Sequence, residues 1–425
     1  MTSPFSEPSA WPRALLGAVC LIVAHGARAQ EDFSDRIDEQ LTFATAGDSI
    51  RVHLSGTLDL EGYYVSQEEP GLVFEEGNTF LNPRLSLFLD SQLGPFLYAF
   101  VQVRADNGFD PGEGGAHVRA DEYVLRLTPW QEGRFNVQVG KFATVVGNWT
   151  PRHGSWDNPF ITAPIPYENE TGIWDAEGAR SVGQLLYWAG VTPKPDRGGA
   201  FLDKYRDVPV IWGPSYASGA SVFGDLGRLY YALEVKNASL SSRPESWSPG
   251  AMQWQDPTFS GRVALVPNEM WTLGFSASVG PYLLSSAGDN LPAGRGLDRY
   301  TETVLGQDLG FAWHHFQAWA EVFEARFRIP GVGDASTQAY YLEGKYKFTP
   351  QFFGSLRWNQ QFFSALPLVS GGSERWGRNV WRVDAGPVYR VTAHLQLKLQ
   401  YSFEHQDADQ GALSHLLAVQ ATYRF

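Results

Sequence analysis

Apolar residues recur at every second position along most of this chain, and the positions between them are polar or charged. Val52, Leu54, Leu58 and Leu60 alternate with His53, Ser55, Thr57 and Asp59. Leu85, Leu87 and Leu89 alternate with Arg84, Ser86, Phe88 and Asp90. Leu395, Leu397, Leu399, Tyr401 and Phe403 alternate with Gln396, Lys398, Gln400, Ser402 and Glu404. The chain closes on Leu417, Val419, Ala421, Tyr423 and the terminal Phe425. A period of two is a β-strand with one apolar and one polar face. Sixteen such stretches run from 50–66 to 413–425, and 134–146, 208–223 and 336–348 are among them. Many reach the roughly 9–11 residues that a tilted lipid-crossing strand needs.

No helical pattern alternates with these strands to cover their apolar faces, so lipid is the natural cover and the polar faces line a wet lumen. The connections sort in the same sense. Seven are short, such as Gln92 to Pro95 and Trp313 with His314, and they alternate with eight longer loops rich in Gly, Pro, Asp, Glu and Ser. The expected fold is all-β: a transmembrane antiparallel β-barrel of about 16 strands over 49–425, with tight turns at one end and long loops at the other. Residues 30–48 form a periplasmic lead-in.

The N-terminus adds an address. Arg13 precedes the apolar run 14–24, and Ala27-Arg28-Ala29 fits a small-x-small cleavage site, so 1–29 reads as a signal peptide. Together with the barrel pattern, this predicts a bacterial outer membrane, with its lipid as one partner. The single cysteine, Cys20, lies in that leader, so the mature chain has no disulfide and no thiolate chemistry. A formal charge of -13 argues against nucleic acid. The 15 Trp and 18 Tyr suit aromatic girdles at two lipid boundaries.

Chemistry-bearing motifs are sparse. No nucleophile elbow, phosphate loop, metalloprotease helix or dinucleotide fingerprint occurs, and no cofactor or metal is called for. His314-His315 falls at a turn and reads as solvated. Asp407-Ala408-Asp409-Gln410-Gly411 resembles the start of a calcium loop but lacks its downstream Glu.

Charge placement is the informative feature. Inward parity puts Arg84, Arg104, Arg357, Arg382, Asp59, Glu61 and Glu122 in the lumen as pore-lining candidates. The longest connection, 147–207, carries Arg152, His153, Asp157, Glu168 and Glu170 as constriction candidates. A basic wall opposite an acidic loop gives a transverse field. The competing reading is mutual pairing of lumen charges that only stiffens the wall.

The leader, the strand and loop count, the terminal Phe425 and the segment Val137-Gln138-Val139-Gly140-Lys141-Phe142 before the long loop resemble the 16-stranded outer-membrane porins, general and phosphate-type. The resemblance implies a third outer loop folded toward the lumen, passive diffusion of small polar solutes or ions, no enzymatic activity, and a homotrimer. It also implies that barrel-assembly machinery reads Phe425. No lysine array accompanies it, so no solute carries over. Two other functions stay open: a plugged or solute-specific barrel (binding channel, adhesin or scaffold), and a barrel enzyme using residues such as Ser55 near His53.

Overall fold

Sixteen antiparallel strands close on themselves in the computed structural model. It describes residues 36–425 apart from 38, 46, 48, 68–70, 74–76, 107–116, 131, 192–205, 251–252 and 408–411. The expected leader 1–29 and most of the calcium-like segment lie outside the described residues. The first eight strands are β1 (Ile50–Val65), β2 (Thr79–Leu93), β3 (Leu97–Asp106), β4 (His117–Leu127), β5 (Asn136–Lys141), β6 (Ser218–Leu226), β7 (Leu229–Lys236) and β8 (Thr258–Asn268). The second eight are β9 (Trp271–Pro281), β10 (Thr301–Trp313), β11 (Phe316–Ile329), β12 (Gly333–Lys347), β13 (Phe352–Phe363), β14 (Val380–Arg390), β15 (Leu395–Gln406) and β16 (Ala412–Arg424). Each pairs with its sequence neighbours, and β1 closes the ring on β16, from Thr57 opposite Arg424 to Val65 opposite Leu416.

Closure leaves a step. Arg51 to His53 of β1 extend past the end of β16, and an unpaired strand edge at a lipid boundary is costly. The short strand Thr42–Ala44 fills it, pairing Thr42 with His53 and Ala44 with Arg51. Phe425 completes the seam: Gly56 N donates to Phe425 O at 2.9 Å, and Phe425 N returns the bond at 3.0 Å. The Phe425 ring lies over Gly56, where an added Cβ would meet its Cζ at 2.5 Å.

Outward positions follow the expected parity. Leu60, Leu233, Phe259, Leu342 and Leu356 are exposed on the outer face of the barrel. Aromatic pairs mark both boundaries: Trp271 with Phe311 and Phe348 with Phe352 near the short turns, Trp358 stacked on Trp381 toward the long loops.

Three expectations need correction. β5 ends at Lys141, not 146, and β6 begins at Ser218, not 208. Both flanks keep strand-like composition, but Phe142 to Val146 and Val208 to Tyr216 pack inside the barrel, so the long connection is 142–217. The sixth connection at the long-loop end is only 330–332, because β12 starts at Gly333. A β-bulge interrupts β4, where Gln102 faces Glu122 and Val103 faces Ala120, leaving Asp121 as the extra residue. Lys141 Nζ donates to the Ala120 carbonyl beside it at 2.8 Å.

On β11 the faces exchange character along the strand. Up to Val322 the outward residues are apolar, but beyond it they are Glu324, Arg326 and Arg328, all exposed. The inward ones there are Phe323, Ala325, Phe327 and Ile329, all buried. They form one apolar cluster with Trp149, Tyr167, Leu185, Trp212 and Tyr216 of the long connection.

Candidate functional site: the lumen and the 142–217 loop

The loop enters the barrel immediately after β5, and inward carboxylates of the wall receive its backbone. Ala143 N donates to Glu122 Oε1 at 2.8 Å, and Thr144 Oγ1 donates to Glu234 Oε1 at 2.7 Å. Glu321 accepts from Trp149 N at 3.2 Å, from Asn148 N, and from Tyr167 Oη at 2.8 Å. Gly147 sits at this junction with φ +79°, and a Cβ there would lie 2.3 Å from Tyr167 Oη. Only glycine fits both the left-handed backbone and the space.

The next residues cross the lumen. Thr150–Arg152 is a single helical turn with Pro151 in its first positions. Arg152 Nη1 lies 2.5 Å from Glu343 Oε1, its Nη2 donates to Tyr341 Oη at 2.9 Å, and its guanidinium sits 4.3 Å over the Trp319 ring. His153 contacts the Thr150 carbonyl through Nδ1 and Tyr216 Oη through Nε2, each at 2.5 Å. A carbonyl only accepts, so the proton belongs on Nδ1 and Nε2 receives the tyrosine hydroxyl. Burial holds His153 neutral, its pKa pushed down to about 4 although the Thr150 contact pulls it up.

From Ser155 to Asn169 the chain runs against β13–β15, whose long polar side chains take its backbone groups. Lys398 Nζ donates to Asn158 O at 2.7 Å. Gln400 Oε1 accepts from Ile161 N and Thr162 N at 2.6 and 3.1 Å. Arg357 Nη2 donates to the Thr162 and Ala163 carbonyls, each at 3.1 Å, and Arg382 Nη2 to Ala163 O at 2.6 Å. Beyond this run, Glu170–Trp174 and Asp207–Pro209 pair as a small hairpin, and the helix α1 (Val182–Trp188) is capped by Ser181, whose hydroxyl accepts from Gln184 N.

This placement revises the charge pattern expected from parity. Arg357 and Arg382 do not form an open basic wall: they are 0% and 2% exposed, covered by the loop, and paired with Asp384. Glu168 is not a solute-facing acid either, because Arg382 binds it. Arg152 is spent on Glu343, and Glu170 stands in the hairpin opposite Pro209. Asp157 remains exposed.

Cavities remain beside the loop, and two of the described ones adjoin. One, of about 580 Å³, lies between the β1–β4 wall and loop residues Trp149 to Ala163; Asp59, Arg84, Arg104, Glu122, His153 and Asp157 line it. The other, of about 590 Å³, lies toward β5–β9 beside Arg126 and Arg262, and shares Glu122, Pro151 and His153 with the first. At the first cavity, Arg84 pairs with Asp59 at 3.2 Å and with Glu61. Arg104 Nε lies 2.8 Å from Asp121, and Arg119 lies 2.6 Å from Asp106 and 2.8 Å from Asp121. Sequence parity missed Asp121 because the bulge turns it and Glu122 inward together. It missed Tyr167 and Glu321 because their contact joins residues far apart in the chain.

No protein-family model and no curated protein matches the sequence. Several solved structures match the fold. An anion-selective porin from Comamonas acidovorans superposes with a TM-score of 0.53 at 11% identity, covering 88% of this chain and all of that one. Salmonella typhi OmpF, in complex with daunomycin, gives 0.55 at 12% over 90% of this chain and all of its own. The outer membrane channel DcaP of Acinetobacter baumannii gives 0.53 at 12%, over 90% of this chain and 99% of its own. The barrel resembles Gram-negative outer-membrane porins in architecture.

Proposed function

We propose that this chain is a porin-type channel of a Gram-negative outer membrane, narrowed by its 142–217 loop and passing small hydrophilic solutes by diffusion. The fold likeness supports the channel class. The observation that carries the narrowed passage is the cavity of about 580 Å³ left between the loop and the charged β1–β4 wall, while the loop is bonded to β11–β15. Charged side chains on both sides suit polar solutes. In this reading the short turns face the periplasm, the leader 1–29 is cleaved after export, and three copies assemble. The chain acts without covalent chemistry.

A second reading has its own observation. The apolar cluster joining the loop to Phe323, Phe327 and Ile329 makes the long-loop half a packed core. A loop docked this firmly favours a plugged barrel, or one that opens for a particular solute.

Planar-bilayer recording on the purified mature protein separates the two. The channel reading expects stepwise currents, smaller than those of an unobstructed 16-stranded tube. A folded protein that passes no current under any solute would sink it and leave the plug.

A further inference from the structure

Four inward side chains on β2 and β3 end in the first cavity with hydrogen-bonding capacity unspent. The register places Ser86 opposite Arg104 and Phe88 opposite Gln102, and Arg84 stands two residues before Ser86 on the same face. Arg84 uses Nε on Asp59 and Nη2 on Glu61. Arg104 Nε approaches Asp121 at 2.8 Å, at an angle too bent for a hydrogen bond. Among the described residues, Arg84 Nη1, both Nη groups of Arg104, the Ser86 hydroxyl and the Gln102 amide have no protein partner. Yet Arg104, Ser86 and Gln102 are only 8%, 5% and 4% exposed, and all four line the cavity. One buried polar group without a partner is a defect; a converging set of donors is the build of a binding site.

We propose that Arg84, Ser86, Gln102 and Arg104 form an oxyanion subsite in the passage, for the carboxylate or phosphate group of a small solute. Arg104 supplies a forked pair of donors that matches paired oxygens, and Arg84 Nη1, the amide and the hydroxyl supply further donors. Asp59, Glu61 and Asp121 are at most 2% exposed and lie against these two guanidinium groups, which holds them in place. Asp59 and Glu122 also line the cavity, so the anion would bind at its arginine side. Phe88 and Phe100 stack with centroids 6.3 Å apart beside Gln102, and they favour a solute with a flat apolar body. The inference rests on the channel reading, because it gives the passage a preferred solute class.

The test uses the full mature protein, with benzoate, acetate and inorganic phosphate as probes. Current is recorded in bilayers at constant chloride, and binding is measured by calorimetry in detergent. Saturable block with matching calorimetric binding is expected. Benzoate bound more tightly than acetate and phosphate assigns a carboxylate with an apolar body, and phosphate bound most tightly assigns a phosphate ester. Arg104→Lys keeps the charge against Asp121 but loses the fork, and should weaken binding about tenfold. Gln102→Ala leaves every ion pair in place and should weaken it less, which keeps the test alive if Arg104→Lys misfolds. Current without saturable binding of any probe overturns the subsite, as does unchanged affinity in both variants. Calorimetric binding without current supports the subsite and overturns the channel instead.

Discussion

Arg357 Nε lies 2.8 Å from Asp384 Oδ2 on the neighbouring strand, and its Nη2 holds the Thr162 and Ala163 carbonyls of the loop. One guanidinium thus joins wall to wall and wall to loop, with neither residue exposed. Removing one partner of a buried pair typically costs about 3–5 kcal/mol, because the other charge stays behind. Arg357→Gln is expected to free the 155–168 run while the barrel persists. Limited proteolysis should then cut within that run, and single-channel current should become larger and noisier. A variant as protease-resistant and as quiet as the parent would refute the pinning role.

Tyr167→Phe isolates one contact of the loop entry. The hydroxyl donates to Glu321 at 2.8 Å in a buried setting. Its loss should cost about 1–3 kcal/mol, since a buried Glu321 would lose its hydroxyl donor from the loop. The expected readout is a lower midpoint for heat-induced loss of the compact band on a detergent gel, with secondary structure unchanged at room temperature.

Acid should loosen the loop through His153. Its folded pKa is pushed down to about 4, against about 6.5 for a solvated histidine. Protonation therefore favours the undocked loop. Above about pH 6.5 the group has no effect; between 6.5 and 4 docking weakens steadily, and below 4 this group adds no further loss. Current noise or protease sensitivity should rise from pH 7.5 to 4.5 in the parent, and His153→Gln should flatten the response. An identical response in the two proteins would assign the acid effect to another group.

Gly56→Ala probes the seam. The new methyl would collide with the Phe425 ring, which must then move off the strand that its own backbone pairs with. Slower assembly and a reduced heat-modification midpoint are expected. Deleting Phe425 should do more, because Gly56 would lose both hydrogen bonds that it makes with that residue.

The barrel was legible because its strands obey one simple rule over long stretches. Leu85, Leu87 and Leu89 face lipid whatever else the chain does. The rule fails where burial has another source. Val208 and Val210 look like wall-strand residues because they are core residues, but their core is the loop packed inside the barrel. Inward parity correctly separated Arg357 from Trp358, yet parity knows only the wall. It has no means of showing that Thr162, nearly two hundred positions away, covers one arginine and leaves Arg84 and Arg104 at a cavity. Asp121 escaped for a local reason, since a single bulged residue resets the count of two.

The reversal of faces on β11 divides the molecule by solvent. As far as Val322 the wall is oily outside and polar inside, so lipid is a structural component there. Beyond it, Arg326 and Arg328 face out while Phe327 and Ile329 face in, the plan of an ordinary water-soluble protein. The barrel is therefore two materials joined end to end, and stripping its lipid should unmake one of them first.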